Sequence, residues 1–240
     1  MQLEKVTDST KSATKRWYDD ACGTALAMEL VGERWSLLIV RELSLGPLRF
    51  SDLVGNVGGA PTDVLTKRLR DLESHGIVRR RELTPPATGV AYELTDVGWA
   101  LERPMLELGR WGLHFERVDD VVDLAPTSLP NAIRVIAQPP QHARLTIGLQ
   151  SGGQPYWLRI EEGWIAASRG EAGDPDVTLS GEPADVLAVL VAGEAAEHRI
   201  EIEGDRGALE ELRAMVVLPD RLRQAALALV AGATAEPAAA

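Results

Sequence analysis

Catalysis needs a nucleophile, an acid–base pair or a metal set at short spacing, and the chemistry-bearing residues of this chain do not form one. His75, His114, His142 and His198 are scattered, without the i, i+4 spacing that puts two imidazoles on one helix face. The single cysteine, Cys22, excludes an internal disulfide and a cysteine-cluster metal site. There is no Gly-x-Ser-x-Gly elbow, Walker loop or dinucleotide fingerprint, and the adjacent Glu161 and Glu162 read as surface charges. The expectation is a non-enzyme without cofactor or metal. What the residue types do support is cationic chemistry. Lys67 and Arg70 lie a helical turn apart and Arg79, Arg80 and Arg81 stand in a row, the kinds of group that contact phosphates and base edges.

The elements that must position these cations lie between Leu48 and Leu94. Taken as a helix from Pro61 to Ser74, the segment places Leu65, Leu69 and Leu72 at i, i+4 and i+7, one buried stripe. Asp63, Thr66, Lys67, Arg70 and Ser74 then fall on the opposite side. Arg68 sits beside the stripe, where an ion pair with Asp71 or Asp52 suits it better than a base contact. Phe50, Leu53 and Val54 form a short preceding helix, and Gly58 and Gly59 open the turn between the two. After Gly76 the period changes to that of strands. Ile77 to Leu83 carries the three arginines, TPPATG turns, and Val90, Tyr92 and Leu94 alternate on the way back. A cationic helix followed by a basic hairpin fits a winged helix-turn-helix, with the helix in a major groove and the hairpin on flanking phosphates. An ordinary solvated helix face and a solvated arginine run would show the same residues.

Charge divides the chain unevenly. The formal net charge is −11, but residues 1–117 hold 16 Lys+Arg against 17 Asp+Glu, whereas residues 118–240 hold 9 against 19. The acidity belongs to the second half, so a basic patch on the first remains compatible with specific DNA binding. The length fits two domains, and the cysteine count fits a reducing cytoplasm. No run reaches the length of a membrane span. We expect a flexible arm over 1–20, a DNA-binding and dimerisation domain over 21–118, a linker over 119–132, a second domain over 133–232 and a disordered tail over 233–240.

Upstream of the cationic stretch, apolar periodicity predicts two helices broken at Gly32, the second apolar nearly all round and central to the module. Cys22 opens the first. It reads as a small buried hydrophobe, with a redox thiol as the alternative. Downstream, Thr95 caps a helix from Asp96 to about Val118 that Pro104 bends. Its stripe of Val97, Leu101, Leu108, Trp111 and Phe115 must be covered, either by a second copy across a two-fold axis or by the second domain. Leu101, Leu108, Trp111 and Phe115 are the candidate dimer residues.

In the second half a short helix near Ala132 to Ala137 precedes alternating strands. Leu145, Ile147 and Leu149 face one way, as do Tyr156, Leu158 and Ile160. A helix from Pro183 through Leu187, Leu190 and Val191 covers them, and further helices follow from Asp205 and Pro219. The fold class is α+β, a sheet with helices over one face. Sheet and helix enclose either a packed core or an apolar ligand cavity, lined by Leu145, Ile147, Leu149, Leu158, Ile160 and Leu187, with Trp157 and Trp164 as lining or mouth residues.

The segment from Tyr18 to Gly112, with DACGTALAMELVGERWSLLIVREL, GPLRFSDL, VLTKRLRDLESHGIVRR, YELTDVG and LGRWG, resembles the HxlR-type winged-helix transcriptional regulators. The resemblance implies a homodimer on a palindromic operator. It makes Thr62, Asp63, Thr66, Lys67 and Arg70 the reading face and the hairpin from Arg79, Arg80 and Arg81 the wing. Asp63 departs from the basic or neutral residue common at that position. DPDVTLSGEPADVLAVLVAG followed by IEIEGD resembles a sterol carrier protein-like domain, which implies an apolar tunnel. Together these predict a dimeric transcriptional regulator modulated by an apolar small molecule. The alternative is a lipid or small-ligand carrier whose winged helix mediates protein contacts only.

Overall fold

The computed structural model describes residues 18–84, 87–115 and 124–233. The expected arm up to residue 17, the first five residues of the linker and the tail beyond 233 lie outside the described residues.

The first half is built around two helices, α1 (Gly23–Val31) and α2 (Ser36–Leu43). Ile39, Val40 and Leu43 are buried, so α2 is central as its composition predicts. A short strand β1 (Leu48–Arg49) leads into α3 (Phe50–Asn56), a turn, and α4 (Thr62–Ser74). Gly76, at φ +68, ends α4 where an L side chain would be strained, and the chain reverses into β2 (Val78–Glu82) and β3 (Val90–Leu94). These strands pair antiparallel in the order β1-β3-β2. Leu53, Leu65, Leu69, Leu72, Ile77 and Leu94 share one core with α2.

The single long helix expected from Asp96 is two helices, α5 (Asp96–Trp99) and α6 (Glu102–Gly112). The break falls at Ala100 and Leu101 rather than at Pro104. Pro104 lies in the first turn of α6, where a missing N–H leaves no helical bond unmade, so it has nothing to bend. Leu101 turns inward against the core of the first half.

In the second half, α7 (Leu129–Ile136) begins three residues earlier than its periodicity indicates. A mixed sheet follows, of β4 (Leu145–Ser151), β5 (Gln154–Glu161), β6 (Trp164–Arg169), β7 (Val177–Ser180) and β8 (Glu201–Gly204), in the order β6-β5-β4-β7-β8 with β4 and β7 parallel. α8 (Pro183–Ala192), α9 (Arg206–Ala214) and α10 (Asp220–Ala233) complete it. The apolar face of the sheet packs with α7, α8 and α9 into a second core. No helix among the described residues is long and apolar enough to cross a membrane.

The halves meet across a polar seam that local pattern did not reveal. Leu45, on the turn after α2, is fully buried in the second core. The Leu45 carbonyl accepts from the Arg169 backbone N–H at 3.0 Å and from the Ser168 hydroxyl at 3.2 Å. Glu42 is 0% exposed and pairs with Arg169 at 3.0 Å and Arg41 at 2.9 Å. Asn56, at the end of α3, also favours its ionised form. Burial pushes the Glu42 carboxyl above its usual range, opposed by Arg41 and Arg169. Nearby, the buried Arg134 donates to the Ile165 carbonyl and Asn131, and pairs with Glu102 of α6 at 2.5 Å.

Candidate nucleic-acid interface

The amphipathic period of α4 is realised in three dimensions. Leu65, Leu69 and Leu72 are buried, and Thr62, Asp63, Lys67 and Arg70 are exposed. Thr66 is half-buried, its hydroxyl donating to the Thr62 carbonyl one turn back at 2.8 Å. Lys67 and Arg70 carry no ion pair or side-chain hydrogen bond among the described residues. Arg68 pairs with Asp71 at 3.2 Å, as its place beside the stripe indicates, and with Glu33 at 3.5 Å instead of Asp52. A helix with two unengaged cations on its solvent face can enter a groove and donate to base edges or phosphates without first breaking internal bonds.

The wing is different. Hairpin register sets Arg79 opposite Glu93 and Arg80 opposite Tyr92. Arg79 and Arg81, on one face of β2, both pair with Glu93, at 2.7 and 3.2 Å. Arg80, on the other face, pairs with Glu73 at 3.3 Å and lies over the Tyr92 ring. Burial pushes the Glu93 carboxyl up, but hydrogen bonds from Arg79 and Arg81 outweigh it and hold the group below its usual range. Sequence reading treated the arginine run as three unpaired charges and missed Glu93. Its signal was there as the polar position between Tyr92 and Leu94. It also missed Arg49, whose guanidinium reaches the Thr88 carbonyl at 2.7 Å and adds a cation near the turn of the wing. Glu93→Gln should therefore release Arg79 and Arg81, raise affinity for any duplex and steepen the salt dependence by about one phosphate contact. A salt titration on unrelated DNA checks this, and an unchanged slope would mean the pairs do not compete with phosphate.

The other candidate residues separate into groups. On α6, Gly109 and Arg110 face the second half: a Cβ at Gly109 would sit 2.8 Å from Val135, and Arg110 donates to the Val135 and Arg134 carbonyls. Leu108, Trp111 and Phe115 stay 48, 59 and 56% exposed, with Trp111 and Phe115 edge to face at 4.6 Å. Both coverings considered for this helix thus have a face of their own. Leu26 and Met28, part of the apolar period that predicts α1, are exposed too.

In the second half Leu145, Ile147, Leu149, Leu158 and Ile160 come together as fully buried core with Val186, Val189 and Leu212, and Leu187 packs on it half-buried. Trp157 lies on the opposite face of the sheet, paired across strands with Gly148 and stacked by Arg159. Trp164 is at the seam, flanked by Arg103 and Arg134. Cys22 is not the buried hydrophobe expected. It is exposed and caps α1, its Sγ accepting from the Ala25 N–H at 3.3 Å, because the core begins only at Val31.

Comparison with known proteins places the first half among helix-turn-helix regulators. The profile of the family described as HxlR-like helix-turn-helix matches residues 30–120. The HTH-type transcriptional regulator YodB of Bacillus subtilis is 34% identical over 96 residues, covering 40% of this chain and 86% of that protein. An uncharacterized HTH-type transcriptional regulator of Mycobacterium tuberculosis is 41% identical over 86 residues, 36% of this chain and 54% of its own length. Among solved structures, quinone-bound YodB from B. subtilis aligns with 32% identity over 38% of this chain and 97% of its own, with a TM-score of 0.34.

Proposed function

The chain belongs to the HxlR-like helix-turn-helix family, and from that premise we propose that it is a dimeric transcriptional regulator that binds a palindromic operator and answers to an apolar small molecule. The observation that carries the DNA-binding part is the face of α4, where Lys67 and Arg70 stand exposed and unpaired opposite a buried leucine stripe. Thr62, Asp63 and Thr66 complete the reading face. Arg79, Arg80 and Arg81 exchange their carboxylate partners for phosphates at the flanks. Dimerisation is assigned to Leu108, Trp111 and Phe115, an apolar set too large to leave in water on a small module. Leu101, turned inward, is withdrawn from that set.

The second domain is assigned the sensing role. A mixed sheet with helices over one face supports the sterol carrier-like reading. The seam through Leu45 and Glu42 ties the second domain to α2, which shares one core with α3 and the reading helix. An effector changes DNA affinity only by as much as it binds the two dimer geometries differently.

Lys67→Ala and Arg70→Ala should each lower operator affinity by about 1–3 kcal/mol, with the melting temperature unchanged. Fluorescence anisotropy on the operator and on a scrambled duplex measures this. Wild-type affinity in both variants would remove α4 as the reader.

A further inference from the structure

The apolar residues expected to line a cavity in the second domain fill one another instead, yet an apolar opening exists elsewhere. Leu113 at the C-cap of α6, Val135 of α7 and Val217, Leu218 and Pro219 of the segment between α9 and α10 wall a cleft of about 280 Å³ between the two halves. Arg110, His114 and Gln138 lie at its polar edge. An apolar cavity of roughly 150 Å³ holds a benzene ring, so this cleft has room for a second fused ring. Val217 is 51% exposed at its mouth, an apolar side chain that no described residue fully covers.

The charge around the cleft points to the polar end of its occupant. The second half is strongly acidic, yet Arg221 turns back to the Leu113 carbonyl and Arg223 to the Val216 carbonyl, beside two walls of the cleft. Neither engages a carboxylate among the described residues. Arg110 lines the cleft itself, held by Glu107 and the Val135 and Arg134 carbonyls, while Arg221 and Arg223 lie behind its lining and add positive charge to that side. Against these stand Glu107, already paired with Arg110, and Asp220, next to Pro219. Guanidinium forks match carboxylates in geometry and charge.

We infer that this cleft binds a compact bicyclic aromatic carboxylate, the ring system against Leu113, Val135, Val217, Leu218 and Pro219 and the carboxylate toward the arginines. Its coupling to DNA rests on the regulator reading above. α6 forms one wall and carries Leu108 and Trp111 on its other side, so a ligand that wedges α6 from α7 tilts the proposed dimer helix. The contact of Gly109 with Val135 keeps the helices close enough for a wedge to matter.

The probe is 2-naphthoate, titrated calorimetrically into the full-length protein, with Val217→Asp as the variant because an exposed position tolerates it without unfolding. A carboxylate at the apolar wall should weaken 2-naphthoate by more than about tenfold. Arg223→Gln should weaken 2-naphthoate and leave uncharged 2-naphthol unaffected. Equal binding to wild type and Val217→Asp would overturn the site, as would no heat at millimolar probe. Operator affinity measured with and without probe is a separate readout. Binding that depends on Val217 but leaves operator affinity unmoved would keep the site and overturn its coupling to DNA. Absence of any operator binding by the ligand-free protein would instead sink the regulator reading alone.

Discussion

Trp111→Glu should turn the protein into a monomer whose affinity for its operator is lower by roughly a hundred- to ten-thousand-fold. Two half-sites held by one dimer bind with the effective concentration that linkage provides, and a monomer forfeits that gain without losing a single base contact. In the proposed dimer the substitution falls between copies: Trp111 and Phe115 stack edge to face while more than half exposed, so the fold does not need them inside. A carboxylate there costs a monomer little. Between two copies it would be buried without a partner. Leu108→Glu should behave alike. Light scattering with operator titration checks both effects, and a dimer persisting in both variants would move the interface away from this face of α6.

Arg169→Ala is expected to produce the largest loss of stability of any single truncation at the seam, about 3 kcal/mol. It leaves Glu42 fully buried with only Arg41 beside it. The same guanidinium donates to the Glu42 carbonyl at 2.9 Å, so a main-chain acceptor loses its donor as well. Because Glu42 lies on α2, which shares one core with α3 and α4, the loss should weaken operator binding even where the variant is folded. Arg169→Lys should recover part of the stability, since it keeps the charge and loses the fork. Denaturant unfolding of the three proteins decides it, and a wild-type midpoint for Arg169→Ala would mean the seam is not a point of coupling.

Which features could be read in the sequence follows from the range of the interactions that fix them. The reading face needed only the helical period of Leu65, Leu69 and Leu72, and the faces of β4 and β5 needed only alternation. Both are local, and both patterns appear in the structure where the residues put them. The pairing of Glu93 with two wing arginines depends on hairpin register, which composition leaves open by one residue either way. Glu42 and Arg169 lie 127 residues apart, and a glutamate on an apolar helix gives no sign of which arginine will meet it. Alternation in β4 and β5 names the inward side chains but not whether they leave a void, since that is set by the summed volume of side chains from α7, α8 and α9. The break before α6 escaped notice because Leu101 continues the apolar stripe in sequence while tertiary packing turns it inward.

The central claim is that α4 reads base sequence, and the most direct measurement is selection of duplexes from a random pool by the full-length protein, repeated with Lys67→Ala and Arg70→Ala. Wild type should enrich an inverted repeat with half-site centres about one helical turn, or a multiple of it, apart. Each variant should enrich the same spacing with the preference relaxed at one or two positions per half-site. Recovery of one unaltered motif by all three proteins, or of no motif by any, would contradict the account.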